Sequence, residues 1–170
     1  QLKASADISR AEFIINLQEV YTSNDGFINL FEKCWENYLG EITPQELENY
    51  LKENKEALVS YLTFFESLYL MLKQGVLKMS IVDDLFGRRF FIVVNNRTVQ
   101  KFDLAKNYKY YLNVVDLHKD WTKYRVKIAE KKCFDNQQSL VAIKEDLFIC
   151  FSENHSGYCN LQEAVLGKEI

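Results

Sequence analysis

A chain of 170 residues is long enough to bury one core without disulfide or metal staples, and one domain is the expectation. With 48% apolar and 26% charged residues, a single proline and 6 glycines, it is neither disordered nor collagen-like, and it lacks the turn residues of a β-sandwich. The net charge of −3 hides an asymmetry: residues 1–87 carry 7 basic and 14 acidic side chains, 88–132 carry 12 and 4, and 133–170 carry 2 and 6.

In chain order, Ala11, Ile14, Ile15, Leu17 and Val20 recur at mixed three and four spacing within Ser5 to Val20, which predicts an amphipathic helix reaching back to or before Gln1. Thr22 to Gly26 is a cluster of turn and cap residues, and Phe27, Leu30, Phe31, Cys34, Trp35 and Tyr38 then predict a second helix ending at Gly40. Thr43-Pro44-Gln45-Glu46 combines a threonine cap, a proline at the first helical position and a glutamate three residues past the cap. A helix starts there and either runs unbroken through Leu47, Tyr50 and Leu51 into the next segment or kinks or turns at Glu53-Asn54-Lys55.

Ala57 to Leu72 is apolar at nearly every angular position, the pattern of a helix buried all round. It is shorter than the ~20 apolar residues of a bilayer span and carries Glu66, so it predicts the central helix of a bundle, stopped by Gly75. Ser80 with Asp83 suggests another capped start, leading a helix to Asn95-Asn96, although Phe90 to Val94 is also β-prone. A long helix is expected over Ala105 to Lys131, with Tyr111, Val114, Val115, His118, Trp121, Arg125 and Ile128 on one side. Ser139 to Phe151 reads as a helix or a strand pair, and Asn160 to Leu166 as a terminal helical turn. The fold class is therefore mainly α: a single bundle of five or more helices around residues 57–72, with 1–134 as the bundle domain and 135–170 as an extension packing on it.

Candidate functional residues are few. Glu66 inside an apolar helix must be paired, protonated or turned toward a gap, and Arg88, Arg89 or Arg125 are candidate partners. It is expected as a buried polar group; a general acid or base is the alternative, without an identifiable nucleophile. Ser60, Thr63 and Ser67 form a small polar stripe on the same helix that favours close helix approach. The basic stretch Arg88, Arg89, Arg97, Lys101, Lys106, Lys109, Lys119, Lys123, Arg125, Lys127, Lys131 and Lys132 reads as a solvated face complementing acidic helices, or as a surface for phosphates or anionic lipid.

Cys34, Cys133, Cys150 and Cys159 read as reduced core thiols; a metal shared by Cys133, Cys150, His155 and Cys159 matches no familiar zinc spacing, and neither metal nor cofactor is expected. Asn96-Arg97-Thr98 and Asn154-His155-Ser156 fit the glycosylation pattern by composition only.

His118 on an apolar helix face reads as a core residue with one hydrogen bond. Asn113 and His118, with four residues between them, also resemble the ribonuclease motif of HEPN domains, helical bundles that dimerise to join two such motifs. Asparagine stands where that family places arginine, which removes the cation that would stabilise a phosphate during cleavage.

Phe64-Phe65-Glu66, Gly75, Asp84-Leu85-Phe86, Arg89-Phe90-Phe91 and the aromatics Tyr110, Tyr111 and Trp121 together resemble the soluble region of small bacterial membrane-anchored helical proteins of unknown function, the DUF4760-like proteins. That resemblance implies a membrane helix upstream of Gln1, a domain on the cytoplasmic side of the membrane (cytoplasmic outright if no anchor exists) and no established enzymatic activity. The expected function is a non-catalytic interaction module forming a homo-oligomer. The alternative is a degenerate HEPN-like, RNA-associated accessory of CRISPR or phage defence, with RNA as partner.

Overall fold

The computed structural model describes residues 2–136, 139–148 and 160–166, and among them every regular element is helical. α1 (Leu2–Thr22) leads through a two-residue turn into α2 (Asp25–Leu39). The Asn24 side chain accepts from the Phe27 N–H to open α2, and Gly40, at φ 77°, closes it in the left-handed conformation that a glycine adopts without a Cβ clash. α3 (Pro44–Glu53) starts on the capping box: Thr43 Oγ1 accepts from the Glu46 N–H at 3.2 Å, and the Glu46 carboxylate accepts from the Thr43 N–H at 2.7 Å. Asn54 alone separates α3 from α4 (Lys55–Lys73), and Gly75, φ 72°, follows the end of α4.

α5 (Met79–Val94) has Lys78 at its N-cap position, without a side-chain capping bond, and Ser80, read as a cap, sits inside the helix instead. The β-prone run Phe90 to Val94 is helical; all five residues are buried, so their uninterrupted apolarity reports burial and not strand alternation. Beyond it the predicted long helix starts late. Asn96 caps the single turn α6 (Arg97–Val99), a π turn spans Gln100–Leu104, and a 3-10 turn spans Tyr108–Tyr110. Only then does α7 (Leu112–Asn136) begin. The reason is side-chain bonding between near neighbours: Gln100 Nε2 donates to the Val94 carbonyl at 2.9 Å, and the Tyr111 hydroxyl donates to Asp103 at 2.8 Å. These bonds fold residues 100–111 back on the bundle, an alternative that local propensity does not contain. Within the described part of Ser139 to Phe151, α8 (Leu140–Asp146) is a helix, residues 149–151 lying outside the described residues, and α9 (Leu161–Leu166) is the terminal turn.

α4 packs most extensively on α7 and also on α2 and α3, and it reaches α5 through its rings. Phe65 lies 4.9 Å from Phe90 between ring centroids, and Phe90 in turn stacks on Trp121 of α7 at 4.8 Å. The Tyr61 hydroxyl donates to the Arg89 carbonyl at 2.9 Å, and the Tyr69 hydroxyl to Asp120 at 2.9 Å. The expected central helix is thus present, but it is not buried all round. Its outer face is open to solvent, with Val59 37% and Leu70 44% exposed.

Candidate functional site

Glu66, Asn113, His118 and Arg125, all marked from the sequence, lie along α7 or against it. Glu66 is half-exposed, not buried, and no arginine is its partner: its carboxylate lies against the backbone N–H of Asn113 in the first turn of α7. Burial raises its pKa and the Asn113 N–H opposes that rise. A carboxylate at a helix start complements the unpaired N–H groups and the positive end of the dipole. The group read as a candidate acid or base therefore serves a helix terminus.

Asn113 is half-exposed, and His118, five residues on, is turned roughly 140° around the helix axis from it. His118 is 0% exposed. Its Nε2–H donates to Asn95 Oδ1 at 2.9 Å, and its Nδ1 receives Gln162 Nε2 at 3.4 Å. Asn95 Oδ1 also accepts from the Leu161 N–H at 3.1 Å, and Asn95 Nδ2 donates to the Phe148 carbonyl at 3.0 Å. Gln162 Nε2 reaches the Val115 carbonyl at 2.8 Å. One buried asparagine and one buried histidine thus tie α5, α7, the end of α8 and α9 together. Burial without a counter-charge pulls the His118 pKa down to about 3, so the ring is neutral at neutral pH.

Arg125 is likewise not a surface cation. It is buried, and its Nε donates to Asp83 Oδ1 at 2.5 Å while Nη1 donates to the Leu147 carbonyl at 2.5 Å. Trp121 Nε1 donates to the same Asp83 oxygen, and the guanidinium lies 4.9 Å over the Phe91 ring. Gly87 makes room for this arrangement: a Cβ there would stand 2.9 Å from Arg125 Cζ and 2.8 Å from Asp83 Oδ1. Asp83, Asn95 and Gln162 were not marked from the sequence. A glycine in the interior of a helical pattern was the available signal that something packs closely at Gly87.

The remaining basic residues divide. Arg88 is exposed yet stacks at 3.9 Å over the Trp35 ring, and half-exposed Arg89 lies 4.7 Å over Tyr21. Arg97, Lys101, Lys106 and Lys109 are exposed on the 97–110 segment, and Lys119, Lys123, Lys127, Lys131 and Lys132 on α7. Cys34 is buried, which pushes its thiol up; Cys133 is half-exposed and so is not a core thiol. Asn96 is fully buried, its amide donating to Asn37 and its carbonyl capping α6, which leaves it no access for glycosylation. Cys150, Cys159, His155 and the Asn154 tripeptide lie outside the described residues. Among the described residues no group of three or more His, Cys, Asp or Glu is placed to hold a metal, and no helix is long and apolar enough to cross a membrane.

The outer face of α4 completes the geometry. Between exposed Glu56 and exposed Lys73, its exposed residues are Val59, Ser60, Thr63, Ser67 and Leu70. The Thr63 hydroxyl donates to the Val59 carbonyl at 2.9 Å and the Ser67 hydroxyl to the Thr63 carbonyl at 3.1 Å. Both hydroxyls are turned back into their own helix. Comparison with protein-family models, curated proteins and solved structures returned no match.

Proposed function

We propose that this chain is a non-catalytic helical interaction module that self-associates through the outer face of α4. The observation that carries this is the row of exposed Val59, Ser60, Thr63, Ser67 and Leu70, none of them charged and about 16 Å long, with half-exposed Glu66 at its edge, on the helix that otherwise organises the core. In a chain with 26% charged residues, such a face exposes aliphatic surface and spent hydroxyls where solvated side chains would be expected.

The occupant that fits is a second copy. A two-fold axis across α4 would run the paired helices antiparallel, which places Glu56 at one end of the row opposite Lys73 of the other copy, twice. Sequence resemblance adds a tether: the full-length protein would be held at the cytoplasmic side of a bacterial membrane by a segment upstream of Gln1, and an apolar run of about 20 residues there would support it.

Sedimentation equilibrium tests the association. The parent chain should form a dimer, and Leu70→Arg, altering an exposed side chain, should be a folded monomer. Glu56→Lys or Lys73→Glu alone should weaken the dimer, and the two together should restore it, since the reversal recreates both pairs. A parent chain that stays monomeric as concentration rises, or a Leu70→Arg chain that dimerises equally well, sinks the proposal.

A further inference from the structure

We propose that the outward face of the C-terminal half of α7, the row Lys119, Lys123, Lys127 and Lys131 with the ring of Phe134 at its end, docks on an anionic lipid bilayer. Residues four apart on a helix adjoin along one face, and Phe134, three beyond Lys131, falls on that same face. All five side chains are exposed, Phe134 by 86%. The row rises about 18 Å along the axis, more than one screening length at physiological salt. Around the helix axis exposed Asp116, Asp120 and Glu130 share this face, and Lys132 is turned away from it. The two aspartates lie at its N-terminal end, so the positive part is the stretch toward Phe134, where Lys123, Lys127 and Lys131 stand against Glu130 on a chain whose total is negative. The one ion pair within it, Lys123 with Asp120 at 3.7 Å, is solvated and weak. Arg125 adds nothing outward because Asp83 holds it inside.

Lipid fits this surface better than nucleic acid does. The cations sit on the convex crest of a helix, all on flexible lysine stems that can spread to headgroups while the stems lie on apolar surface. Phe134 is the one ring on this row, where a bound strand of bases would call for several rings in succession, and it can enter the acyl boundary that the lysines bring close. This surface is on a different helix from the self-association face and does not depend on it.

The test is co-sedimentation of the full chain with phosphatidylcholine vesicles containing phosphatidylserine, against pure phosphatidylcholine vesicles, with single-stranded RNA binding followed in parallel, at low and high salt. Binding should require phosphatidylserine and weaken with salt. Each lysine near such a surface adds about fivefold, so Lys123→Gln/Lys127→Gln/Lys131→Gln should lower association by about a hundredfold. Phe134→Ser should lower it by about tenfold with the salt dependence unchanged. Both variants alter exposed positions, and unchanged thermal melts verify their folds; Lys127→Glu alone is the fallback should either melt shift. Equal binding to pure phosphatidylcholine, undiminished binding by the lysine variants, binding to RNA but not vesicles, or no binding at all overturns the proposal. Leu70→Arg alters α4 alone, so its monomerisation and its vesicle binding are read separately.

Discussion

The two sides of α5 hold the bundle by different means. Toward α1, α2 and α4 the contacts are mainly rings: Tyr21, Phe27, Tyr61, Phe64, Phe65, Phe86 and Phe90 form a chain of tilted or edge-to-face pairs with centroids 4.9–6.3 Å apart, beside the one bond from the Tyr61 hydroxyl to the Arg89 carbonyl. Toward α7 and the segments after it directional bonds join in: Arg125 of α7 donates to Asp83 and to the Leu147 carbonyl, His118 of α7 donates to Asn95, and Asn95 donates to the Phe148 carbonyl and accepts from the Leu161 N–H. Apolar packing is proportional to area and tolerates exchange of like for like. A buried polar seam does not, because losing one member leaves its partner desolvated and unpaired. The ring side accordingly sets how much stability the fold has, and the polar side sets where the C-terminal elements dock.

The largest expected effect breaks the ring side. Phe65, fully buried between Phe64, Tyr61, Phe86 and Phe90, should cost about 3–5 kcal/mol on truncation to alanine, measured by urea denaturation. Phe65→Leu, which keeps most of the volume, should cost clearly less. A loss below about 1 kcal/mol for the alanine variant would place Phe65 outside the core and remove α4 from its centre.

The same division explains what could be read in the sequence. Thr43-Pro44, Gly40 and Gly75 act through bonds and torsions within a few residues, so the ends of α2 and α4 and the start of α3 were legible, whereas the sequence left open whether α3 ran on past Asn54 into α4. The start of α7 was not legible: Tyr108 to Tyr111 continues an acceptable helical pattern, and what stops it is Asp103 receiving the Tyr111 hydroxyl and Gln100 turning back to Val94. Periodicity put Arg125 on the apolar side of its helix while its charge put it in the basic surface, and its partner Asp83 stands 42 positions away, a separation that no periodicity encodes. His118 shows the middle case. Its helix face marked it as a core residue, but nothing local pointed to Asn95 or Gln162.

A smaller effect sharpens the polar side through pH. Unfolded, His118 titrates near 6.5; folded, burial takes it down to about 3. The folded state therefore favours the neutral ring, and its contribution is fully present above pH about 6.5 and is lost progressively as pH falls toward about 3. At pH about 5 the loss should be about 2 kcal/mol. A protonated Nδ1 would direct a proton at the donor group of Gln162, which loosens α9 first. His118→Gln should cost about 1 kcal/mol at neutral pH and flatten this dependence, so the difference between the two chains isolates it from the carboxylates that titrate nearby. Parallel stability-pH curves for parent and variant would show that the ring is not held as described.

The smallest effect tests the boundary between the two sides, where Glu66 of α4 meets the first turn of α7. Burial raises its pKa, so ionisation is disfavoured in the folded state; this group's contribution is present below its unfolded pKa and lost as pH rises through the folded one. What the carboxylate does for the fold is accept at the Asn113 N–H, a task that a neutral amide oxygen performs as well. Glu66→Gln should therefore leave stability within a few tenths of a kcal/mol, while Glu66→Ala, which leaves that N–H to water, should cost about 0.5–1 kcal/mol. Equal costs for both would mean that the negative charge at the helix start matters more than the acceptor, and the electrostatic account of this contact would replace the hydrogen-bonding one. A larger loss, beyond about 2 kcal/mol for either, would mean that Glu66 holds α4 against α7 as a member of the polar seam, and the division between ring side and polar side would have to be redrawn to include it.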